Sequence, residues 1–377
     1  MKTGVFTNGL IWFGAAVSIA EMEAGFSMGG NVAALVLGHL FGGCMLYGAG
    51  LVGATTGRCA METTAATFGR PGMRFFAFLN LLQLVGWTAV MIAQGASAIA
   101  MIGNFPRLLP YLMLTTLIGV WIFVAFSDRF HLATLAVGLL AVLCVALTFR
   151  LARLPPSTTK ALPVSSGFWP AFEVSIAMPL SWLPLISDYT STAKRPYAAT
   201  ATSTIVYTLT SLWMYALGML LAHIGAESVA DGIVRAGLGV AGLFVVVFST
   251  VTTTFLDAYS AGVSVKSILP RIPPRLAGVV VCAIGGVLAI LGILDRYIDF
   301  LYFISSVFAP MAAVFLVDRY LVRRGFRVWN LLSWVAGFVT YHVATASPIG
   351  PTLSAIAVSS TLALGGWLPG SQRRGRR

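Results

Sequence analysis

Charged side chains are scarce in this chain: Asp, Glu, Lys and Arg make up 10% of its 377 residues, against 58% hydrophobic. A soluble domain carries about a quarter charged residues, so a water-facing surface is excluded for most of the chain and the bilayer is the implied solvent. Cysteine is rare as well. Cys44, Cys59, Cys144 and Cys282 lie far apart without CxxC spacing, which gives neither a disulfide framework nor a metal pattern. The four histidines are equally scattered. No Ser/His/Asp grouping or glycine-rich phosphate loop stands in the context such motifs need, so an enzyme is disfavoured and no organic cofactor is expected. The short alternating segments of a membrane β-barrel are missing too.

What is present is a series of apolar stretches of about 20 residues, each long enough to cross roughly 30 Å of hydrocarbon as a helix. They fall near 8–29, 31–55, 75–103, 108–127, 130–149, 166–189, 199–224, 237–265, 276–294, 297–318, 328–346 and 350–368. The expected fold class is therefore an all-α integral membrane protein of about 12 transmembrane helices. The first stretch is no cleaved signal peptide, because it holds Glu21 and Glu23 and is followed by further spans. The formal charge of +12 is a topology signal rather than a nucleic-acid patch. With the N-terminus inside, only Arg107, Arg150, Arg153, Lys160, Arg235 and Arg296 fall outside, leaving the other 18 of 24 basic residues on the cytoplasmic side. Both termini are then expected in the cytoplasm, and the membrane is the inner membrane of the cell. The longest candidate linker, 151–165, is rich in Pro, Ser and Thr.

Polarity concentrates in three spans. The first carries small residues Gly14, Ala15 and Ala16 ahead of Glu21; the sixth carries Pro179 and Pro184 around Ser181 and Trp182; the eighth carries a run of threonines ending at Asp257. Spans one and six are five apart, an odd offset, so they enter the membrane from opposite sides, as in an inverted repeat. In such transporters the first helix of each repeat is interrupted near the midplane and its freed backbone groups bind substrate and ion. Two prolines remove two backbone donors and should break span six, and small residues let span one loosen.

Glu21, Glu23, Glu173 and Asp257 sit within spans, and no Lys or Arg lies inside a span to pair with them. A carboxylate at such depth must be protonated, hydrated, or facing a cation or a donor-rich ligand. Helical spacing groups the candidates. Glu21 follows Ser18 by three and shares its face, Thr253 and Asp257 are four apart, and Gln83, Trp87 and Gln94 form another face. An indole beside amides suits a planar heteroaromatic ligand.

Five stretches carry a resemblance over nearly the whole chain: Phe13-Gly-Ala-Ala-Val-Ser-Ile-Ala-Glu21, Leu82-Gln-Leu-Val-Gly-Trp-Thr-Ala-Val90, Pro179-Leu-Ser-Trp-Leu-Pro-Leu-Ile-Ser-Asp-Tyr-Thr190, Thr252-Thr-Thr-Phe-Leu-Asp-Ala-Tyr-Ser-Ala-Gly262 and Phe303-Ile-Ser-Ser-Val-Phe-Ala-Pro310. The chain resembles the nucleobase:cation symporter family that contains the cytosine permeases, and within it the branch for hydroxymethylpyrimidine, a thiamine precursor. The resemblance implies a LeuT-like fold of two five-helix inverted repeats, here 8–149 and 166–318, with two extra helices over 328–368. It implies a sodium site using carbonyls of Gly14 and Val17 and hydroxyls of Thr252 and Thr253. For substrate it points to Trp87 as a stacking plane, Gln83 or Gln94 as an amide partner, and Ser181 with Trp182 at the break in span six. Cytosine permeases carry amides where this chain has Thr254, Phe255, Leu256 and Asp257. The extra carboxylates Glu21, Glu173 and Asp257 favour a ligand richer in donors, since an ionised carboxylate only accepts. Cytosine, another nucleobase or a hydantoin is the alternative substrate, and a proton carried by Glu21 or Asp257 is the alternative coupling ion. A channel or membrane enzyme would need a continuous polar face or a catalytic cluster near one surface, and neither pattern is visible.

Overall fold

The structure is a computed structural model that describes residues 2–125, 130–155, 167–344 and 347–366. The expected linker 151–165 lies largely outside them, as do Arg129, Lys160 and the basic C-terminus Arg373, Arg374, Arg376 and Arg377.

Among the described residues, every expected span coincides with a helix or a broken pair. The helices are α1 (Val5–Ala16), α2 (Ile19–Ser27), α3 (Val32–Thr56), α4 (Ala60–Ile102), α5 (Leu109–Ala125), α6 (Phe130–Leu151), α7 (Phe168–Trp182), α8 (Ile186–Thr190), α9 (Pro196–His223), α10 (Val229–Ile233), α11 (Gly239–Ile268), α12 (Pro274–Ile290), α13 (Tyr297–Val317), α14 (Val328–Val343) and α15 (Gly350–Gly365). By length and composition, α3, α4, α9 and the run Ile293–Val322 are each sufficient to cross a bilayer alone. The α1–α2 pair, bent by 51°, is sufficient as one broken span. Shorter apolar helices, among them α12 and α15, complete the bundle.

The distribution of side chains inverts that of a water-soluble protein. Asn8, His39, Asn80, Gln83, Ser175 and Ser211 are fully buried, whereas Leu112, Val142, Val287 and Val339 are exposed on the outside of the bundle. Exposed apolar side chains on helix after helix are what a hydrocarbon solvent leaves unpenalised, while polar groups must find partners within.

Three local features differ from the sequence expectation. The third span is preceded by a helical segment starting at Ala60, joined to it at Gly69, whose φ of 71° favours glycine. A short helix, α10, stands in the loop before span eight; Ser228 caps it by accepting from the Asp231 amide at 3.1 Å. Pro179 does not break span six but lies inside α7, and the interruption follows at Leu183–Leu185 around Pro184.

α2 packs against α9, α3 against α7 and α9, and α4 runs against α11 and α12. The α2–α9 contact is backbone to backbone: a Cβ added at Gly218 would overlap the Met22 carbonyl, and one at Gly25 would overlap the Tyr215 carbonyl. Small residues permit such approach, and here they set α2, with Glu21, directly onto α9.

Candidate functional site

The break in span one is two residues long. Val17 and Ser18 leave helical geometry, with ψ of 86° and 155°. The Ser18 hydroxyl then accepts from the Glu21 amide at 3.3 Å and so caps α2. Tyr297 of α13 donates its phenol to the Ala20 carbonyl at 2.9 Å, which holds the start of α2 from the other side.

The break in span six follows from the missing N–H of Pro184. Leu183 donates to the Leu180 carbonyl at 3.2 Å and Leu185 to the Trp182 carbonyl at 3.0 Å, tightening the last turn. The Ser181 carbonyl, left without a backbone donor four residues on, accepts instead from Gln83 Nε2 of α4 at 2.9 Å. Gln83 also donates to Asn80 Oδ1 at 2.8 Å. Its amide thus serves the break itself, a role different from the expected substrate contact.

Between the two breaks lies a cavity lined by Ser18, Glu21, Trp87, Met91, Met178, Ser181, Trp182, Thr253 and Asp257. Six of the expected substrate residues, Ser18, Glu21, Trp87, Ser181, Trp182 and Asp257, therefore meet in one place. Its volume is about 20 Å³, room for roughly one water and far below the several hundred Å³ of ligand pockets. This conformation is closed around its centre, and a ligand of ring size would fit only if the walls part. Trp87 packs edge-on against Phe300 at 5.3 Å and Tyr297 at 6.1 Å. Trp182 sits edge-on to Trp12 at 5.5 Å. Glu21 receives the Tyr207 phenol on Oε1 at 2.9 Å and the Ser211 hydroxyl on Oε2 at 2.6 Å. Among the described residues no Lys or Arg lines the cavity. Glu23 is turned elsewhere, beside Ser27, Asp295 and Asp299 at the bundle surface, as the two-residue spacing from Glu21 implies.

Three expected substrate residues lie elsewhere. Glu173 faces α15: its Oε1 accepts from the Thr352 amide at 3.0 Å and its Oε2 from the Thr352 hydroxyl. The carboxylate meets unpaired amides at a helix N-terminus, where negative charge is stabilised. Gln94 is buried two turns beyond Trp87, and neither its Nε2 nor its Oε1 has a partner among the described residues. Thr254 donates to the Thr250 carbonyl at 2.6 Å, the back-bond usual for a helical threonine.

The expected ion ligands come together in part. Thr253 is buried and donates to the Gly14 carbonyl at 3.4 Å, joining α11 to the last turn of α1. Val17 is buried at the break itself. Thr252 is partly exposed and donates to the Phe248 carbonyl at 3.2 Å. Gly14 and Thr253 offer neutral oxygens, the donor type a hard monovalent cation accepts in place of water. Among the described residues no group of three His, Cys, Asp or Glu stands ready for a multivalent metal.

Sequence reasoning missed Tyr207, Ser211, Trp12 and His39. Tyr207 and Ser211 are four apart on α9, so a shared polar face was readable; what it faced was not. Trp12 had no local signal.

The chain matches the family described as permease for cytosine/purines, uracil, thiamine, allantoin over residues 4–358. It is 24% identical over 362 residues to the YxlA protein of Bacillus subtilis (strain 168), covering 84% of this chain and 75% of that protein. It is 23% identical over 385 residues to the cytosine permease of Escherichia coli (strain K12), covering 98% of this chain and 87% of the relative. Its fold is similar to the inward-facing conformation of Mhp1, with a TM-score of 0.79, 15% identity, and 97% of this chain and 90% of that one covered. A Na+-coupled sialic acid symporter is more distant, with a TM-score of 0.67, 11% identity, and 96% and 90% covered. With helical spans interrupted, among the described residues, at the first and sixth around a shared cavity, a match of this extent makes the chain a member of the cytosine/purine, uracil, thiamine and allantoin permease family, the nucleobase:cation symporters with a LeuT-like fold.

Proposed function

We propose that the cavity between the two helix breaks binds a pyrimidine, hydroxymethylpyrimidine or a related thiamine precursor, and carries it inward by alternating access together with a sodium ion. The observation that supports this best is the convergence of an indole, Trp87, with two carboxylates, Glu21 and Asp257, on one cavity. A flat ring stacks on the indole, and amino and hydroxymethyl groups donate to carboxylates that can only accept. Helices of the two repeats, 8–149 and 166–318, together enclose that cavity and open it alternately to either side, with 328–368 outside them. Sodium takes oxygens from Gly14, Val17, Thr252 and Thr253. A cytosine-like substrate is the second reading, favoured by the cytosine permease relative that spans nearly the whole chain.

Binding of hydroxymethylpyrimidine, cytosine and a hydantoin to purified protein, with and without sodium, decides between these. Hydroxymethylpyrimidine should bind tightest, and more tightly with sodium. Trp87→Ala should weaken that binding by on the order of 1 kcal/mol or more, about fivefold or greater, with Trp87→Phe retaining part of it. Equal affinity in a well-folded Trp87→Ala protein would return Trp87 to a packing role.

The protein is placed in the inner membrane with both ends cytoplasmic, on the distribution of its basic residues. Reporter fusions at Lys2 and at Arg377 should both report a cytoplasmic location. Opposite locations would mean an odd number of crossings.

A further inference from the structure

Behind the cavity, away from the substrate side of Glu21, four buried side chains from four helices form one continuous hydrogen-bonded chain. Ser211 of α9 lies 2.6 Å from Glu21 Oε2 and 2.7 Å from His39 Nε2. His39 Nδ1 of α3 lies 2.7 Å from the Ser175 hydroxyl of α7. Ser175 in turn donates to the Leu35 carbonyl at 2.6 Å. Glu21 and His39 are both almost completely buried.

Each hydroxyl along this chain has one proton to donate. Ser175 uses its proton on Leu35, so it accepts from Nδ1–H of His39. Ser211 then has one proton and two acceptors, the Glu21 carboxylate and the lone pair of Nε2. With Glu21 ionised and His39 neutral in that tautomer, one of the two contacts has no proton. A single added proton satisfies both. It sits on Glu21, which donates to Ser211 while Ser211 donates to Nε2; or it sits on His39, whose Nε2–H donates to Ser211 while Ser211 donates to Glu21. The two forms interconvert by shifting protons through the serine, with no atom gained or lost. Without the added proton both contacts are made only if His39 changes tautomer and Ser175 turns its proton to Nδ1, which loses the 2.6 Å bond to the Leu35 carbonyl, sets the bare Nδ1 lone pair 3.2 Å from that carbonyl oxygen, and leaves the carbonyl with its helical donor alone.

We propose that Glu21, Ser211 and His39 together form a binding site for one proton, shared between carboxylate and imidazole across the serine, and linked to occupation of the cavity that Glu21 lines. The second half rests on the reading of that cavity as the substrate site. The other titratable groups facing the pair are phenols and a carboxylate. Tyr207 donates to Glu21 Oε1, Tyr215 stacks edge-on to His39 at 4.7 Å, Tyr297 approaches from α13, and Asp257 of α11 shares the cavity. From α4 and α7 the cavity receives Trp87 and Met178, which do not titrate. None of these groups supplies a positive charge, so the added proton is the one that balances Glu21. A ligand that donates to Glu21 favours its ionised form and drives the proton toward His39 or out of the site.

The test uses the full chain in lipid nanodiscs with nitrogen-15 histidine, the His39 signals being identified by their loss in His39→Gln. Without any ligand, the Nε2 signal of His39 should change over about pH 5 to 8. In Glu21→Gln the amide donates to Ser211 at every pH, so Nε2 should remain an acceptor and its signal should stop responding. Ser211→Ala should uncouple the two groups, and Ser211→Thr, which keeps the hydroxyl, should restore coupling. Hydroxymethylpyrimidine affinity is then measured against pH. A linked proton changes it by up to about tenfold per pH unit in the native protein, and Ser211→Ala should flatten that dependence. An Nε2 signal that titrates identically in the native protein and in Glu21→Gln, or that does not titrate in the native protein, overturns the proton site even if the pyrimidine binds. Coupled titration in a protein that binds no pyrimidine leaves the proton site standing and removes the transport reading alone.

Discussion

Gly218→Val should abolish uptake and lower the thermal stability of the purified protein sharply, although residue 218 touches no expected ligand. A Cβ at this position would overlap the Met22 carbonyl and stand 2.7 Å from the Phe26 amide. Those are backbone atoms of α2, which cannot rotate away as a side chain does. Overpacking a well-filled interior costs about 1–3 kcal/mol, occasionally more, and a branched side chain against backbone belongs at the upper end. The displacement also has a direction. It pushes α2 away from α9, and with it Glu21 away from Tyr207 and Ser211, which hold its two oxygens. Differential scanning in detergent, alongside uptake by cells producing equal amounts of protein, would measure both effects. A Gly218→Val protein of native stability and transport would mean that the α2–α9 contact is not close in the membrane.

Thr253→Ala should remove the dependence of substrate affinity on sodium. Thr253 is buried and its hydroxyl lies 3.4 Å from the Gly14 carbonyl. It thereby ties α11 to the end of α1 one turn before the break at Val17 and Ser18. A cation held between these elements draws the broken helix onto α11, on the wall that also carries Asp257. Coupling between two ligands of this kind is typically worth 1–3 kcal/mol, about 5–150-fold in affinity, and it is reciprocal. Titrating substrate at several sodium concentrations, and sodium at several substrate concentrations, should give the same factor in the native protein and none in Thr253→Ala. Uptake that ignores sodium, follows an imposed pH gradient and is lost in Glu21→Gln would instead assign the coupling to the carboxylate.

The spans were readable because each depends on a local quantity, about 20 consecutive residues that hydrocarbon will accept. The break in span one was readable for a similar reason: small residues around Gly14 to Ala16 are followed by Ser18, a good cap. The break in span six was placed less well. Pro179 and Pro184 look alike in sequence, yet only the turn around Pro184 is open, and Pro179 is accommodated within α7. Proline removes a donor wherever it stands; at Pro184 the turn tightens, Leu185 donates to Trp182 instead of Ser181, and the Ser181 carbonyl this frees is satisfied by Gln83 from a helix nearly 100 residues away.

The same distinction separates the acids. From the sequence, Glu21, Glu23, Glu173 and Asp257 shared one description, carboxylates within apolar spans without a basic partner, and only the spacing from Ser18 favoured Glu21 for the cavity. Three- and four-residue spacing placed Glu21 beside Ser18 and Asp257 beside Thr253, but a face has no meaning until a neighbour covers it. Tertiary packing put Glu21 and Asp257 on one cavity and sent Glu173 to the start of α15, where backbone amides and Thr352 receive it. It also joined Glu21 to His39, a residue that composition alone left as one of four scattered histidines. The sequence by itself determined the solvent, the spans and the first helix break, because hydrophobic length, charge and capping act over a few residues. The partners of the buried polar groups were decided only by the tertiary structure, because a hydrogen bond between distant helices depends on their approach, and that approach is set by backbone contacts such as Gly25 and Gly218 rather than by any residue near the site.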